Sequence, residues 1–355
     1  MNFASDNTTG ASRAILAAVT AANAGQSAAY GKDDFSKKAA RLLNEVFERE
    51  CASFLVNTGT AANALALAAV APPFGAIFCH ADSHIMEDEC GAPEMFTGGA
   101  KLIGIPGEAG KITRAGLVTA LSRYPRGIEK QVQPAALSIS QVTELGTVYS
   151  CGEVAALAEI AHEAGIKVHM DGARFANALA SLQCRPAEMS WKAGIDVLSF
   201  GATKNGALGC EAVIFFDPAT AANLPYLRKR SGHTLSKGRF LGAQMIAYLE
   251  KGHWLDLAKA ANAHARALAE GLTKIPSVRM PWPCEANEIF AVLPCKMDSR
   301  LKAEGAVYYE WNFPERDAGC APPGQDEIFV RLVTSFATRK TDIDRFLAVA
   351  SSAGI

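Results

Sequence analysis

The feature that most constrains this chain is an alternation between residues 50 and 216. Seven short, apolar, β-rich runs recur there: "ASFLV", "GAIFCH", "AKLIGI", "AALSIS", "IKVHM", "DVLSF" and "EAVIFF". Segments of helical period separate several of them, such as "CGEVAALAEIAHEAG" ahead of "IKVHM". Strand, helix, strand in that order predicts an α/β fold, a mostly parallel sheet covered on both faces. Sheets of this kind bind ligands outside the carboxyl ends of their strands. Residues just after a strand are therefore where chemistry is expected.

Composition sets the outer limits. A chain of 355 residues can bury a full core, and two domains are expected. Its formal charge of −1 leaves no cationic excess for a polyanion, so no nucleic-acid partner is expected. No apolar run reaches the ~18–20 residues that span a bilayer, so no membrane role is expected. Nine cysteines without a C-x-x-C pair suit a reducing compartment, the cytoplasm, and argue against structural zinc. Near the start, "AILAAVTAANA" imitates a signal peptide. The preceding "MNFASDNTTGASR" has no positive cluster, and a surface helix is expected instead.

Beyond about residue 235 the pattern changes. A long helical stretch, "SKGRFLGAQMIAYLEKGHWLDLAKAANAHARALAEGLTKI", leads to short strands in "EIFAVL", "AVYYEW" and "IFVRLV" and a last helix near "KTDIDRFLAVA". This predicts a small α+β domain. The expected division is an N-terminal segment over 1–30, a large domain over 31–245 and a small domain over 246–355.

Four strand ends carry candidate groups. Asp171 follows "IKVHM"; it is either a ligand carboxylate or the N-cap of the next helix. Thr58, Gly59 and Thr60 follow "ASFLV", where a strand turns into an apolar helix. Their N–H groups and hydroxyls form an anion cradle, or ordinary capping. His84 follows "GAIFCH" and can lie on a planar ligand or exchange protons. His80 and His84 with Asp88 imitate a metal face, but His80 is expected to end a strand, which breaks the helical spacing, and no metal is expected. Lys204 sits between two apolar runs among glycines, in "SFGATKNG". Lysine is rarely buried without a task, and its amine forms Schiff bases; a surface loop is the plain alternative. "GIPGEAGK" lacks the glycine spacing of a phosphate loop, and no G-x-G-x-x-G follows a strand.

Together an anion cradle, a stacking imidazole, a carboxylate and an amine suit pyridoxal 5'-phosphate. Here the sequence resembles the fold-type I pyridoxal-phosphate enzymes, and among them the L-threonine and phenylserine aldolases. The resemblance spans nearly the whole chain and rests on "SDNTTG", "AYGKDD", "NTGTAAN", "SHIMEDECGA", "HMDGAR", "SFGATKNG" and "VRLVTSF". It implies a seven-stranded, mostly parallel large domain with a small C-terminal α+β domain. It implies Lys204 as the lysine bonded to the cofactor, Asp171 as the ring-nitrogen partner, His84 stacked on the ring, and Gly59 and Thr60 on the phosphate. Ser5, Arg174 and Arg331 would hold the substrate carboxylate. Tyr30 would reach a neighbouring subunit's site in a homodimer or homotetramer, and Lys229 and Lys237 the partner's phosphate.

The activity implied is reversible carbon–carbon cleavage of threonine, or a relative such as phenylserine, to glycine and an aldehyde. His84 is the first candidate base, with Asp88 orienting it or sharing the task. Glu144 stands where many relatives carry a histidine that contacts the substrate hydroxyl, and can take that role. β-Elimination and amino transfer are the rival reactions on the same cofactor. A non-enzymatic scaffold would not need to keep Lys204, Asp171, His84 and Arg331 together.

Overall fold

The computed structural model describes residues 1–314 and 321–353. Helices α1 (Arg13–Ala22) and α2 (Asp34–Val46) precede the first strand, β1 (Ala52–Val56). Then follow α3 (Gly59–Val70), β2 (Gly75–His80), α4 (His84–Glu87), α5 (Ala92–Thr97), β3 (Lys101–Ile105), α6 (Arg114–Ser122) and β4 (Gln133–Ser140). After these come α7 (Cys151–Glu163), β5 (Lys167–Gly172), α8 (Phe175–Leu182), β6 (Val197–Gly201) and β7 (Glu211–Phe215). The remainder holds α9 (Leu224–Arg230), α10 (Arg239–Leu249), α11 (His253–Leu272), β8 (Glu288–Pro294), α12 (Cys295–Ala303), β9 (Tyr309–Glu310), β10 (Glu327–Val333) and α13 (Lys340–Ala353).

Each of the seven apolar runs is a strand of one sheet, ordered β1-β7-β6-β5-β4-β2-β3. This is the seven-stranded, mostly parallel sheet that the resemblance implies. Strands β2, β6 and β7 are buried along their whole length, because helices cover both faces. β7 alone runs against its neighbours, β1 and β6. The link from β6 to β7 covers only residues 202–210, too short for the crossover that a parallel neighbour needs. The six co-directional strands deliver their carboxyl ends to one side of the sheet.

The long helical stretch expected after residue 235 is two helices. Lys251 and Gly252 take left-handed backbone (φ +56° and +72°) and break it between α10 and α11. Apolar period cannot register such a break, because the spacing survives it. β8, β10 and β9 form a separate antiparallel sheet. It has its own core, with Leu268, Ile289, Val330 and Phe346. Phe3 joins that core, while Ile15 of α1 packs into the core of the large sheet. The N-terminal segment thus spans both layers. No helix among the described residues is long and apolar enough to cross a membrane.

One glycine is required by close approach. A Cβ on Gly201, at the end of β6, would stand 2.5 Å from the carbonyl oxygen of Ala173. This contact draws β6 against the chain that leaves β5, just below the site described next. Gly201→Ala must displace backbone and should destabilise the fold by about 1–3 kcal/mol, as overpacked cores do. A lower urea midpoint with an unchanged slope is the expected result.

Candidate active site

The ends of β1, β4, β5 and β6 and the start of α4 meet at a cavity of about 350 Å³. Its floor is Asp171, the fifth residue of β5, only 6% exposed. Its Oδ2 accepts from Asn63 Nδ2 at 2.8 Å and its Oδ1 from the Ala173 N–H at 3.0 Å. Burial alone would raise this carboxyl's pKa. The charges of His84 and Lys204, with the Ala173 N–H, outweigh burial and hold it below the ordinary value. Asp171 is an anion at neutral pH.

Lys204 faces this anion from a three-residue turn, Thr203–Asn205, which Gly206 ends at φ +111°. Its charge acts on Asp171, His84, Asp6 and Glu211. Glu211 opens β7, and its Oε2 accepts from the Ala202 N–H at 2.7 Å, fixing the turn. Burial pushes the Glu211 carboxyl up to about 7, against the hydrogen bonds from Thr203 and Ala202 and the charge of Lys204. Opposite, Thr58 caps α3 by accepting from the Ala61 N–H at 3.1 Å. Gly59 and Thr60 open that helix, so its free N–H groups and dipole face the cavity as an anion site.

His84 opens α4. Its Nδ1 is 2.9 Å from Glu89 Oε1, and this bond raises the imidazole pKa more than burial lowers it. The expected neighbour Asp88 is exposed and does not line the cavity; the carboxylate that His84 meets is Glu89. Glu144 follows β4. Its Oε1 accepts from Ser140 Oγ at 2.6 Å and from the His84 N–H at 2.8 Å, while its Oε2 is buried without a partner. Burial pushes this carboxyl up to about 7.

A buried ionic chain closes one side. The Arg174 guanidinium makes a bidentate contact with Asp6 (2.9 and 3.1 Å) and a third contact, at 3.0 Å, with Glu288. Glu288 in turn lies 3.8 Å from Arg331, whose guanidinium stacks on Trp311 at 3.9 Å. Arg331 Nε is buried and unpaired. Arg174 therefore lines the cavity with its guanidinium engaged by two carboxylates, while Arg331 lies outside the cavity lining with its Nε unpaired. Ser5 caps the turn at Asp6–Thr8, accepting from the Asn7 N–H at 3.1 Å. Tyr30, Lys229 and Lys237 lie outside the cavity on the exposed surface of this chain. Lys229 Nζ stands 4.9 Å from the Tyr30 ring.

Asn63, Glu89 and Glu211 did not emerge from the sequence. Asn63 had a faint signal, an amide in the otherwise apolar α3. Nothing in "EDEC" ranks Glu89 above its two acidic neighbours.

The residues fit pyridoxal 5'-phosphate by their chemistry: an amine for its aldehyde, an anionic carboxylate for its ring nitrogen, an imidazole for its face and a helix start for its phosphate. The family model described as beta-eliminating lyase matches residues 2–294. The chain belongs to that family. A low specificity L-threonine aldolase from Pseudomonas aeruginosa is 42% identical over 312 residues, covering 86% of this chain and 88% of that protein. The structure of a Leishmania major threonine aldolase superposes with a TM-score of 0.91 at 29% identity, over 100% of this chain and 99% of that one. A Sphingomonas wittichii serine palmitoyltransferase shares the fold, with a TM-score of 0.71 at 15% identity, over 100% of this chain and 87% of that one. Within the beta-eliminating lyase family the chain groups with the threonine aldolases, which makes it a carbon–carbon lyase.

Asp6→Ala leaves Arg174 short of its main counter-charge in a buried place. Breaking such a pair should cost about 3–5 kcal/mol. Asp6 is held below its ordinary value: burial raises its pKa, but Arg174 and Lys204 outweigh it. Its contribution is therefore complete above about pH 4 and fades as pH falls through the lowered value. Wild type and variant should differ widely in urea midpoint at pH 7 and converge in strong acid.

Proposed function

We propose that this protein is a pyridoxal-phosphate-dependent aldolase that reversibly splits L-threonine or a related β-hydroxy-α-amino acid, phenylserine included, into glycine and an aldehyde. The observation that carries the reading is the convergence of Lys204 and an ionised Asp171 on one cavity that also holds an acid with one unpaired oxygen, Glu144. Lys204 would hold the cofactor's aldehyde carbon, Asp171 its ring nitrogen, His84 its ring face, and Thr58, Gly59 and Thr60 its phosphate. When bound, the cofactor supplies an electron sink for the bond broken at the substrate's Cα.

The chain's own residues do the rest. Arg331, with Ser5 and Arg174 beside it, binds the substrate carboxylate and so sets which Cα bond faces the ring. Arg331 is the main clamp, because Arg174 is already engaged by Asp6 and Glu288. Glu144 takes the proton of the β-hydroxyl. In support, its Oε1 is fixed by Ser140 and His84 while its Oε2 lacks a donor, and a carboxyl titrating at about 7 suits a base at neutral pH. His84, whose Nδ1 is engaged by Glu89 and whose pKa that bond raises, orients and stacks rather than acting as the base. Asp88 stays at the rim, where its charge reaches Arg331.

Removing the hydroxyl proton expels an aldehyde. β-Elimination would instead need that oxygen protonated as a leaving group, which a carboxylate base disfavours. Tyr30, Lys229 and Lys237 serve a neighbouring subunit's site in a homodimer or homotetramer; their exposure on this chain supports that reading. The separate core around β8 and β10 supports a small domain over 246–355, set against a large one over 31–245 and the N-terminal 1–30. The enzyme works in the cytoplasm, a reading that the eight free thiols among the described residues support.

Lys204→Ala should abolish absorbance at the edge of the visible and stop glycine release; retention of both sinks the assignment. Pyruvate in place of glycine and aldehyde would mean elimination. In the wild type kcat/KM should rise as pH climbs through about 7, where Glu144 ionises. Glu144→Gln should remove that limb and lower kcat/KM by about 10²–10⁴-fold.

A further inference from the structure

Two buried side chains form an unbroken line between His84 and the floor of the cavity, Asp171. Glu89 Oε1 lies 2.9 Å from His84 Nδ1 and 2.8 Å from Asn63 Nδ2. The same Asn63 nitrogen lies 2.8 Å from Asp171 Oδ2. Asn63 is 2% exposed and Glu89 4%, so no solvent intervenes. The amide orientation is dictated by its partners. Both are carboxylates that only accept, so the NH₂ must face them, and Asn63 Oδ1 is left buried without a partner. An amide nitrogen donates one hydrogen to each of two acceptors and adds no charge. A serine offers a single donor, and a lysine would neutralise one anion.

This juxtaposition has an electrostatic consequence. Two carboxylates on one nitrogen, away from water, repel each other, and without donors such a pair retains a proton. We propose that Asn63 is a positioning residue that holds Glu89 and Asp171 side by side through one amide nitrogen, and so ties the state of the His84 imidazole to the carboxylate on the floor. It touches neither the imidazole nor the reacting atoms. It acts through Glu89 on one side and Asp171 on the other. The charged and titratable groups that face this line are His84 and Lys204, His169 beneath Asp171, and Arg174 and Glu144 beside it. His169, fully buried between Ser138 and Ser199, is kept neutral by burial, which lowers it to about 4. Of the basic groups, His84 then faces both carboxylates, while Lys204 and Arg174 act on Asp171.

The proposal rests on the aldolase reading only for the use made of Asp171 and His84; the coupling itself is a property of the chain. Histidine-selective NMR on the full-length holoenzyme reads it, with His84 assigned among the seven histidines by its loss in His84→Gln. In Asn63→Leu the carboxylate pair takes up a proton, and the His84 midpoint should fall by about one pH unit. Asn63→Ser, which keeps one donor and the polarity of the site, should give a smaller fall and decides the matter if the leucine variant does not fold. In a Glu89→Gln background, Asn63→Leu should leave His84 unmoved. An unchanged midpoint in folded Asn63→Leu and Asn63→Ser overturns the proposal, as does a shift that persists without Glu89. The midpoint is read without turnover, so failure here leaves the aldolase reading standing. Absence of glycine among the products would leave the coupling standing.

Discussion

Asp171 keeps a negative charge where water scarcely reaches it, and much of the surrounding structure answers to that charge. An isolated carboxylate in such a place would take up a proton. Here the end of β5 sets it opposite Lys204 and near His84, whose charges act on it, with an amide and a backbone N–H as donors. These partners come from four separate segments: α3, α4, the chain leaving β5 and the turn between β6 and β7. Only a sheet whose strands share a direction brings those segments to one edge. The fold and the charge thus explain each other. The parallel core supplies the convergence, and the convergence makes a buried anion tolerable.

A second ionic chain works on a larger scale. Asp6 comes from the N-terminal segment, Arg174 from the chain after β5, and Glu288 and Arg331 from the small sheet. Buried pairs of this kind add little net stability, since desolvation offsets much of the attraction, but breaking one is severe. Their effect is to fix how the two layers meet. Arg174 also lines the cavity, so the arrangement of the layers fixes one wall of the site.

The sheet was legible because burial on both faces turns each strand into a short apolar run, and all seven runs are strands. Lys204, Asp171 and the Thr58–Thr60 turn were legible because strand ends are where such sheets do chemistry. Residues that act through other residues were not. Asn63 looks like a polar interruption of a helix until its two carboxylates are seen. Glu89 stands in a run of acids whose individual directions depend on where the short α4 stops. Glu211 reads as the first residue of a buried strand. The break at Lys251 and Gly252 escaped because a left-handed pair alters direction without altering apolar spacing.

The reversal of β7 bears on movement. Because β6 returns at once as β7, Lys204 sits on a turn anchored on both sides. Glu211 grips Ala202, and Asn205 is bound to the Tyr248 hydroxyl at 3.0 Å and the Trp254 carbonyl at 2.8 Å. The peptide there has nowhere to swing. Any movement of the Lys204 amine is confined to torsions of its own four methylenes, a short tether that brings it back to the same spot each time.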